Sequence, residues 1–237
     1  MRCDLESTVR SDGLILADRI LGEGLEGACR SQAVFFEDGE WPGGRAADLL
    51  EVLLFLCRRD GTAQCLLLCH TRHLHGLEFK SAVRARGLEL EEPFRRVHIK
   101  YVSDPSSVGE GAPVVDLACR LQGLSFTPTL VAVLGLGELT RCGPPKCRLQ
   151  EEGVAPGAAF VAAAADAQQF VLALMLLVDA VSQSVRWSGQ PCGLLLWDSV
   201  QDCRGRGLVC AALDDVWSAR LRDGRFMVDR NIEGLRE

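Results

Sequence analysis

The chain has 237 residues, with 26 Lys and Arg against 32 Asp and Glu, a formal net charge of −6. At roughly 150 residues per domain, one large α/β domain is the default. Composition of 48% hydrophobic and 24% charged residues excludes a disordered or fibrous chain. The negative balance excludes a uniformly basic nucleic-acid binder but leaves basic patches open. The acidity is uneven, since residues 1–40 hold four basic and nine acidic side chains, a balance of −5. Residues 1–30 therefore read as an acidic N-terminal segment and 31–237 as a single domain.

The start, Met1-Arg2-Cys3-Asp4-Leu5-Glu6, is acidic where a signal peptide needs a positive end and an apolar run. The longest uncharged apolar stretch, Phe170–Val178, falls short of the roughly 18 residues that cross a bilayer, so no membrane association is expected. The 11 cysteines then read as reduced thiols of a cytosolic or nuclear protein.

In chain order, Ser31–Phe36 is a strand candidate, followed by a Gly/Pro turn over Asp38–Gly44 and a buried helix over Ala46–Arg59. Ala63–Cys69 is a second strand, Leu77–Arg86 a short basic helix, Val97–Val102 a third strand, and Ser106–Gln122 holds a helix. Thr129–Leu134 is a nearly all-apolar fourth strand, 140–157 a loop, Ala158–Trp187 a long helix, and Gly193–Trp197 a fifth strand. The tail carries strands at Gly207–Leu213 and Trp217–Leu221, then an Asp223-Gly224 hairpin turn into Phe226–Val228. Near-continuous apolar strands separated by helices require a mostly parallel sheet covered on both faces, here closed by C-terminal antiparallel strands.

The first turn, Gly39-Glu40-Trp41-Pro42-Gly43-Gly44-Arg45-Ala46, lies where an α/β domain binds phosphate. Against G-x-x-x-x-G-K-[ST], Gly39 and Gly44 fall in register, Gly43 adds a second flexible residue, Arg45 takes the lysine position and Ala46 the hydroxyl position. Glycines let backbone N–H groups wrap phosphate and Arg45 supplies charge, but Ala46 cannot ligate magnesium. Glu37, Asp38 and Glu40 add negative charge beside the loop. The second magnesium element should be an Asp ending a later apolar strand; Gly135 stands there, and the first carboxylate is Glu138. The loop predicts weak ATP binding at most, with weak or absent hydrolysis, and Glu138 is a weak catalytic candidate. The alternatives are an ordinary Gly/Pro turn, or an active ATPase that uses Arg45.

A metal site is not expected. No C-x-x-C pair occurs, Cys65 and Cys69 face one side of a buried strand, Cys142 and Cys147 form a lone loop pair, and His70, His73 and His75 lack a second ligand pair. No G-x-S-x-G or H-E-x-x-H supports a hydrolase.

The loop at Gly39–Ala46, the segment Arg95–Tyr101 with Pro105-Ser106-Ser107, the helix Gln169–Val185 running through Gln190–Leu194, and the Trp217–Gly224 hairpin resemble RecA-type recombinase paralogues. Among these, the likeness is to the SWIM-protein-associated subunits of animal Shu-type complexes. The resemblance implies a RecA-like P-loop-type α/β fold and a nuclear role in homologous recombination repair. It also implies non-specific single-stranded DNA binding, a SWIM zinc-finger partner, stabilisation of recombinase filaments, and a hetero-oligomeric state. Members of that family can carry an intact phosphate loop, where this chain does not. An Elongator-type RecA-like pseudo-ATPase acting on transfer RNA modification shares the degenerate loop and is the alternative.

The loop after the fifth strand lies near the DNA axis in RecA-like domains and here contains Gln201, Arg204 and Arg206; Arg220, Arg222 and Arg225 on the closing hairpin extend it. Arginines flanking Gly205 suit phosphate contact without sequence choice. A second basic stretch spans Lys80–Arg86 with Arg95, Arg96 and Lys100. Three Phe-x-x-Ala matches, at Phe79, Phe160 and Phe170, fit the recombinase self-association plug but sit on expected helices, where that spacing serves the core.

Overall fold

The computed structural model describes residues 32–38, 45–88, 92–102, 121, 124–140, 156–199, 215–222 and 225–230. The element order is β1 (Gln32–Asp38), α1 (Arg45–Arg59), β2 (Cys65–His70), α2 (Thr71–His75), α3 (Leu77–Ala85), a 3-10 turn (Glu92–Arg96), β3 (Val97–Val102), β4 (Leu130–Leu134), α4 (Leu136–Leu139), α5 (Pro156–Ser188), β5 (Gly193–Ser199), β6 (Asp215–Arg222) and β7 (Arg225–Arg230). The strands form one sheet in the order β3-β2-β4-β5-β1-β6-β7. All neighbours pair parallel except β6 and β7.

Alternation along the strands divides the core in two. Cys65, Leu67 and Cys69 of β2, Leu130, Ala132 and Leu134 of β4, and Leu195 and Trp197 of β5 pack with α1 and with Val83 of α3. The intervening Leu66, Leu68, Val131, Val133, Leu194 and Leu196 pack with α4 and with Phe170, Ala173, Leu174, Leu177 and Val181 of α5. Helices therefore cover both faces. The expected placement of Cys65 and Cys69 on one side holds.

Helix α1 is buried almost all round, including the acids Asp48 and Glu51. Arg86, the C-cap of α3, answers both carboxylates. Burial alone would lower the Arg86 pKa; hydrogen bonding and charge from Asp48, then Glu51, hold it above its ordinary value. The charge cluster thus fastens α3 to α1.

Several expectations are corrected. The C-terminal strands are not all antiparallel, because β6 joins β1 in parallel and only β7 turns back; the direction of β6 follows from its crossing past β1 rather than hairpinning from β5. The first strand runs on through Asp38, since Glu37 finds register partners in Ser199 and Ala219, and Asp38 in Arg220. The second begins at Cys65 because Ala63 is held in the preceding turn by its N–H donating to the Asp60 carbonyl. Thr71–His75 is a short helix rather than a loop, and Leu136–Leu139 is a further one. The reading by uncharged runs also understates α5: Ala167–Ser188, with mean hydropathy 1.5, is long and apolar enough to cross a membrane by length and composition. That helix carries Asp179 and Arg186, and one side of it packs on the sheet. The expected helix at 106–122, the loop at 141–155, the strand at 207–213 and the acidic segment at 1–30 lie outside the described residues, apart from Leu121.

Trp197 is fully buried between β5 and the α1 layer. Trp197→Ala should destabilise the chain by about 3–5 kcal/mol, read as a lower denaturant midpoint with an unchanged slope.

Candidate functional site

In doubly wound sheets, ligands bind where neighbouring strands send their following chain to opposite faces. Strands β2 and β4 pair directly. After β2 the chain enters α2 and α3, where Leu74 and Val83 join the α1 layer; after β4 it enters α4 and α5 on the opposite face. By that rule the crevice of this sheet belongs at the carboxyl ends of these two strands.

Glu138 lies in this crevice. Its side chain is only 9% exposed, with Oε2 2.9 Å from His73 Nε2 and Oε1 paired with Arg72 Nε and 4.0 Å from His70 Nδ1. The sequence arranges this locally. His70 ends β2 in extended backbone and its Nδ1 accepts the Arg72 N–H at 3.2 Å, capping α2 and leaving Arg72 and His73 on the first turn to meet Glu138. Burial would raise the Glu138 pKa; the hydrogen bond and charge of His73, followed by Arg72, overcome this and hold the carboxyl below its ordinary value of 4.5. Arg72 is 55% exposed, so solvent screens much of its share.

Gly135 occupies the position where a magnesium-binding Asp was expected. Its backbone is left-handed, φ 71°, and it caps α4. Its N–H donates to the Trp197 carbonyl at 2.8 Å, and its own carbonyl accepts from the N–H groups of Glu138 and Leu139. A Cβ here would stand 3.2 Å from Glu138 Oε2. The left-handed backbone therefore favours glycine, and a Cβ would make the Glu138 carboxylate give by a few tenths of an ångström.

A further acid, Asp198, sits on β5 beyond the expected strand end. It is buried, and its carboxylate accepts the Gly137 N–H at 2.8 Å. Sequence reading missed it because the strand was stopped at Trp197; the apolar run does end there, but the ladder with β1 continues to Ser199. Glu138 and the His70–His75 cluster were visible separately, with nothing local to join residues 65 positions apart.

The other expected residues divide clearly. Arg45 is the first residue of α1 and Ala46 is buried behind it; Gly39, Gly43 and Gly44 lie outside the described residues. Arg220 and Arg222 lie on β6 and Arg225 on β7, with Arg222 directly opposite Arg225; Gln201, Arg204 and Arg206 lie outside the described residues. Of the second basic stretch, Lys80, Arg84 and Arg95 are exposed, whereas Arg86 is tied to α1 and Arg96 donates to the Asp60 carbonyl and Glu92. Phe170 and Ala173 are core residues, and Phe79 and Ala82 pack against the other core cluster. No group of three metal-ligating side chains suited to an ion occurs among the described residues; Cys142 and Cys147 lie outside them.

No protein-family model matches the sequence, and no curated protein matches it.

Glu138→Gln should cost on the order of 1–3 kcal/mol at neutral pH. The Glu138 pKa is lowered on folding, so its contribution is fully present above the unfolded value near 4.5 and is lost as pH falls through the folded value. The gap in unfolding free energy between wild type and Glu138→Gln should accordingly close in acid. Gly135→Ala should cost about 1–2 kcal/mol from the left-handed backbone alone, measured by the same denaturant titration.

Proposed function

We propose that the chain is a RecA-type recombinase-paralogue subunit of homologous recombination repair. In this reading it works in the nucleus, binds single-stranded DNA without sequence choice, and stabilises recombinase filaments together with a SWIM zinc-finger partner in a hetero-oligomer. Its phosphate-loop chemistry is degenerate, so nucleotide hydrolysis is not its task.

The observation that carries the reading is the occupied state of the β4 carboxyl end. A hydrolytic site of this architecture needs a carboxylate there to hold magnesium or water. In this chain Gly135 stands at the strand end, and the nearest acid, Glu138, is engaged by His73 and Arg72. The fold in which this happens is a mostly parallel sheet with helices on both faces, with β1 followed in the chain by α1, the setting in which phosphate loops occur. The C-terminal hairpin adds support for DNA. The sequence places Arg220, Arg222 and Arg225 on this one antiparallel pair, and arginine is the residue type that meets phosphate without sequence choice.

The test is co-purification with SWIM zinc-finger proteins, followed by single-strand binding titrations at two salt concentrations. Each phosphate contact contributes about 0.7 to the slope of log affinity against log salt, so Arg204→Ala with Arg206→Ala should flatten the slope by about 1.4 and weaken binding to all sequences alike. Binding indifferent to salt, or unchanged in the double variant, would overturn the phosphate-contact loop. Steady ATP hydrolysis by the purified chain, abolished by Arg45→Ala, would overturn the non-hydrolytic assignment.

A further inference from the structure

Two thiols meet where α1 hands over to β2. Cys57 lies in the last turn of α1 and Cys65 is the first residue of β2. The intervening turn folds tightly: Asp60 Oδ1 accepts from the Thr62 N–H at 2.8 Å and from its hydroxyl at 2.7 Å, and the Ala63 N–H donates to the Asp60 carbonyl at 3.1 Å. This brings the two sulfurs to 3.6 Å. Cys57 Sγ also lies 3.6 Å from the Ala63 carbonyl oxygen, and Cys65 Sγ 3.9 Å from that of Leu53.

The charge around the pair is not that of an ordinary core. Arg96 reaches in from the 3-10 turn and donates to the Asp60 carbonyl at 2.9 Å, while its Nε is buried with no hydrogen-bond partner among the described residues. Hydrogen bonding to Cys65 lowers the Cys57 pKa below that of a free thiol; burial opposes this, the Arg96 charge adds to it, and Asp60 and Glu92 oppose it. Four residues along β2, Cys69 serves as an internal contrast. Its thiol is equally buried, but burial and the nearby Glu138 push it up to about 12, which makes it inert toward oxidants.

We propose that Cys57 and Cys65 are a two-electron redox site, at which a small hydroperoxide oxidises Cys57 and Cys65 resolves the product to an intramolecular disulfide. In the first step the Cys57 thiolate attacks the terminal peroxide oxygen, the O–O bond breaks, and the distal oxygen leaves as hydroxide or alkoxide, giving Cys57–SOH. In the second the Cys65 sulfur attacks the Cys57 sulfur, the S–O bond breaks, and the departing hydroxide takes the Cys65 proton as water. Two electrons pass from the dithiol to the peroxide, and thiol reductants reverse the change.

The geometry favours this pairing over any other among the described cysteines. Closing from 3.6 Å to the bonded distance of about 2.05 Å asks for a movement of about 1.6 Å. Both sulfurs are buried, but the turn beneath which they lie has its tip, Gly61 and Thr62, in solvent. Opening of such a locally bonded turn costs much less than global unfolding and admits a molecule of the size of peroxide. The disulfide would clamp the end of α1 to the start of β2, across the turn on which Arg96 docks.

The experiment is a pulse of dilute hydrogen peroxide on the reduced, folded full-length chain, quenched by N-ethylmaleimide, digested with trypsin and mapped by mass spectrometry. Cleavage after Arg58 and Arg59 separates the two cysteines, so the bond appears as a cross-linked peptide pair removed by dithiothreitol. Cys57 should lose its free thiol about ten-fold or more faster than Cys69, and in Cys65→Ala the oxidised Cys57 should be captured by dimedone. Should Cys65→Ala fail to fold, the wild-type cross-link measured against Cys69 decides the matter alone. Full alkylation of Cys57 and Cys65 after the pulse, loss of their thiols only in step with Cys69, or preferential joining of Cys57 to another cysteine would each overturn the site.

Discussion

A parallel sheet with helices on both faces leaves its middle strands no position that water can reach. In β2 and β4 each side chain belongs to one core layer or the other until the final residue, so polar chemistry is confined to the strand ends and to the helices that flank them. Any charge brought close to that core must be neutralised nearby, because desolvation of a lone ion costs more than folding can supply. The chain obeys this three times: Arg86 answers Asp48 and Glu51, His73 and Arg72 answer Glu138, and the Gly137 N–H meets Asp198. Acids that elsewhere would serve a metal are here held by the scaffold itself.

The same constraint explains what could be read in the residues. The apolar runs of β2 and β4 and the extent of α1 are legible because burial on two sides leaves an apolar signature of the right length. Helix α2 is not, since four of its five residues, Thr-Arg-His-Leu-His, are polar and its start depends on a ring nitrogen of His70 accepting a backbone N–H. The neighbour of β6 is equally hidden; alternation identifies a strand and an Asp-Gly a hairpin, but whether the pair joins β5 or crosses to β1 depends on tertiary packing. Glu138 was visible as an acid after a strand, and the partners that change its meaning come from the far side of another helical connection.

Strand order also sets how independent the two ends of the sheet are. The crevice lies between β2 and β4, whereas the arginine-bearing hairpin is β6 and β7, with β5 and β1 between them. Three strand spacings separate β4 from β6, about 14 Å, which exceeds the screening length of about 8 Å at physiological salt. Neutralising Glu138 thus neither strengthens nor weakens an anion at the hairpin appreciably. Charge at one end of the sheet is thus felt only weakly at the other.

The left-handed residue at the end of β4 bears on whether a carboxylate could be placed there. A carboxylate placed at Gly135 would meet an unfavourable backbone and, 3.2 Å from its Cβ, the existing oxygen of Glu138. Removing Glu138 first would leave Arg72 and His73 without the acid that draws them into the crevice. Either order of substitution passes through a less stable intermediate, so the two positions are epistatic. Each single substitution toward a carboxylate at the end of β4 therefore costs stability before it can add a ligand.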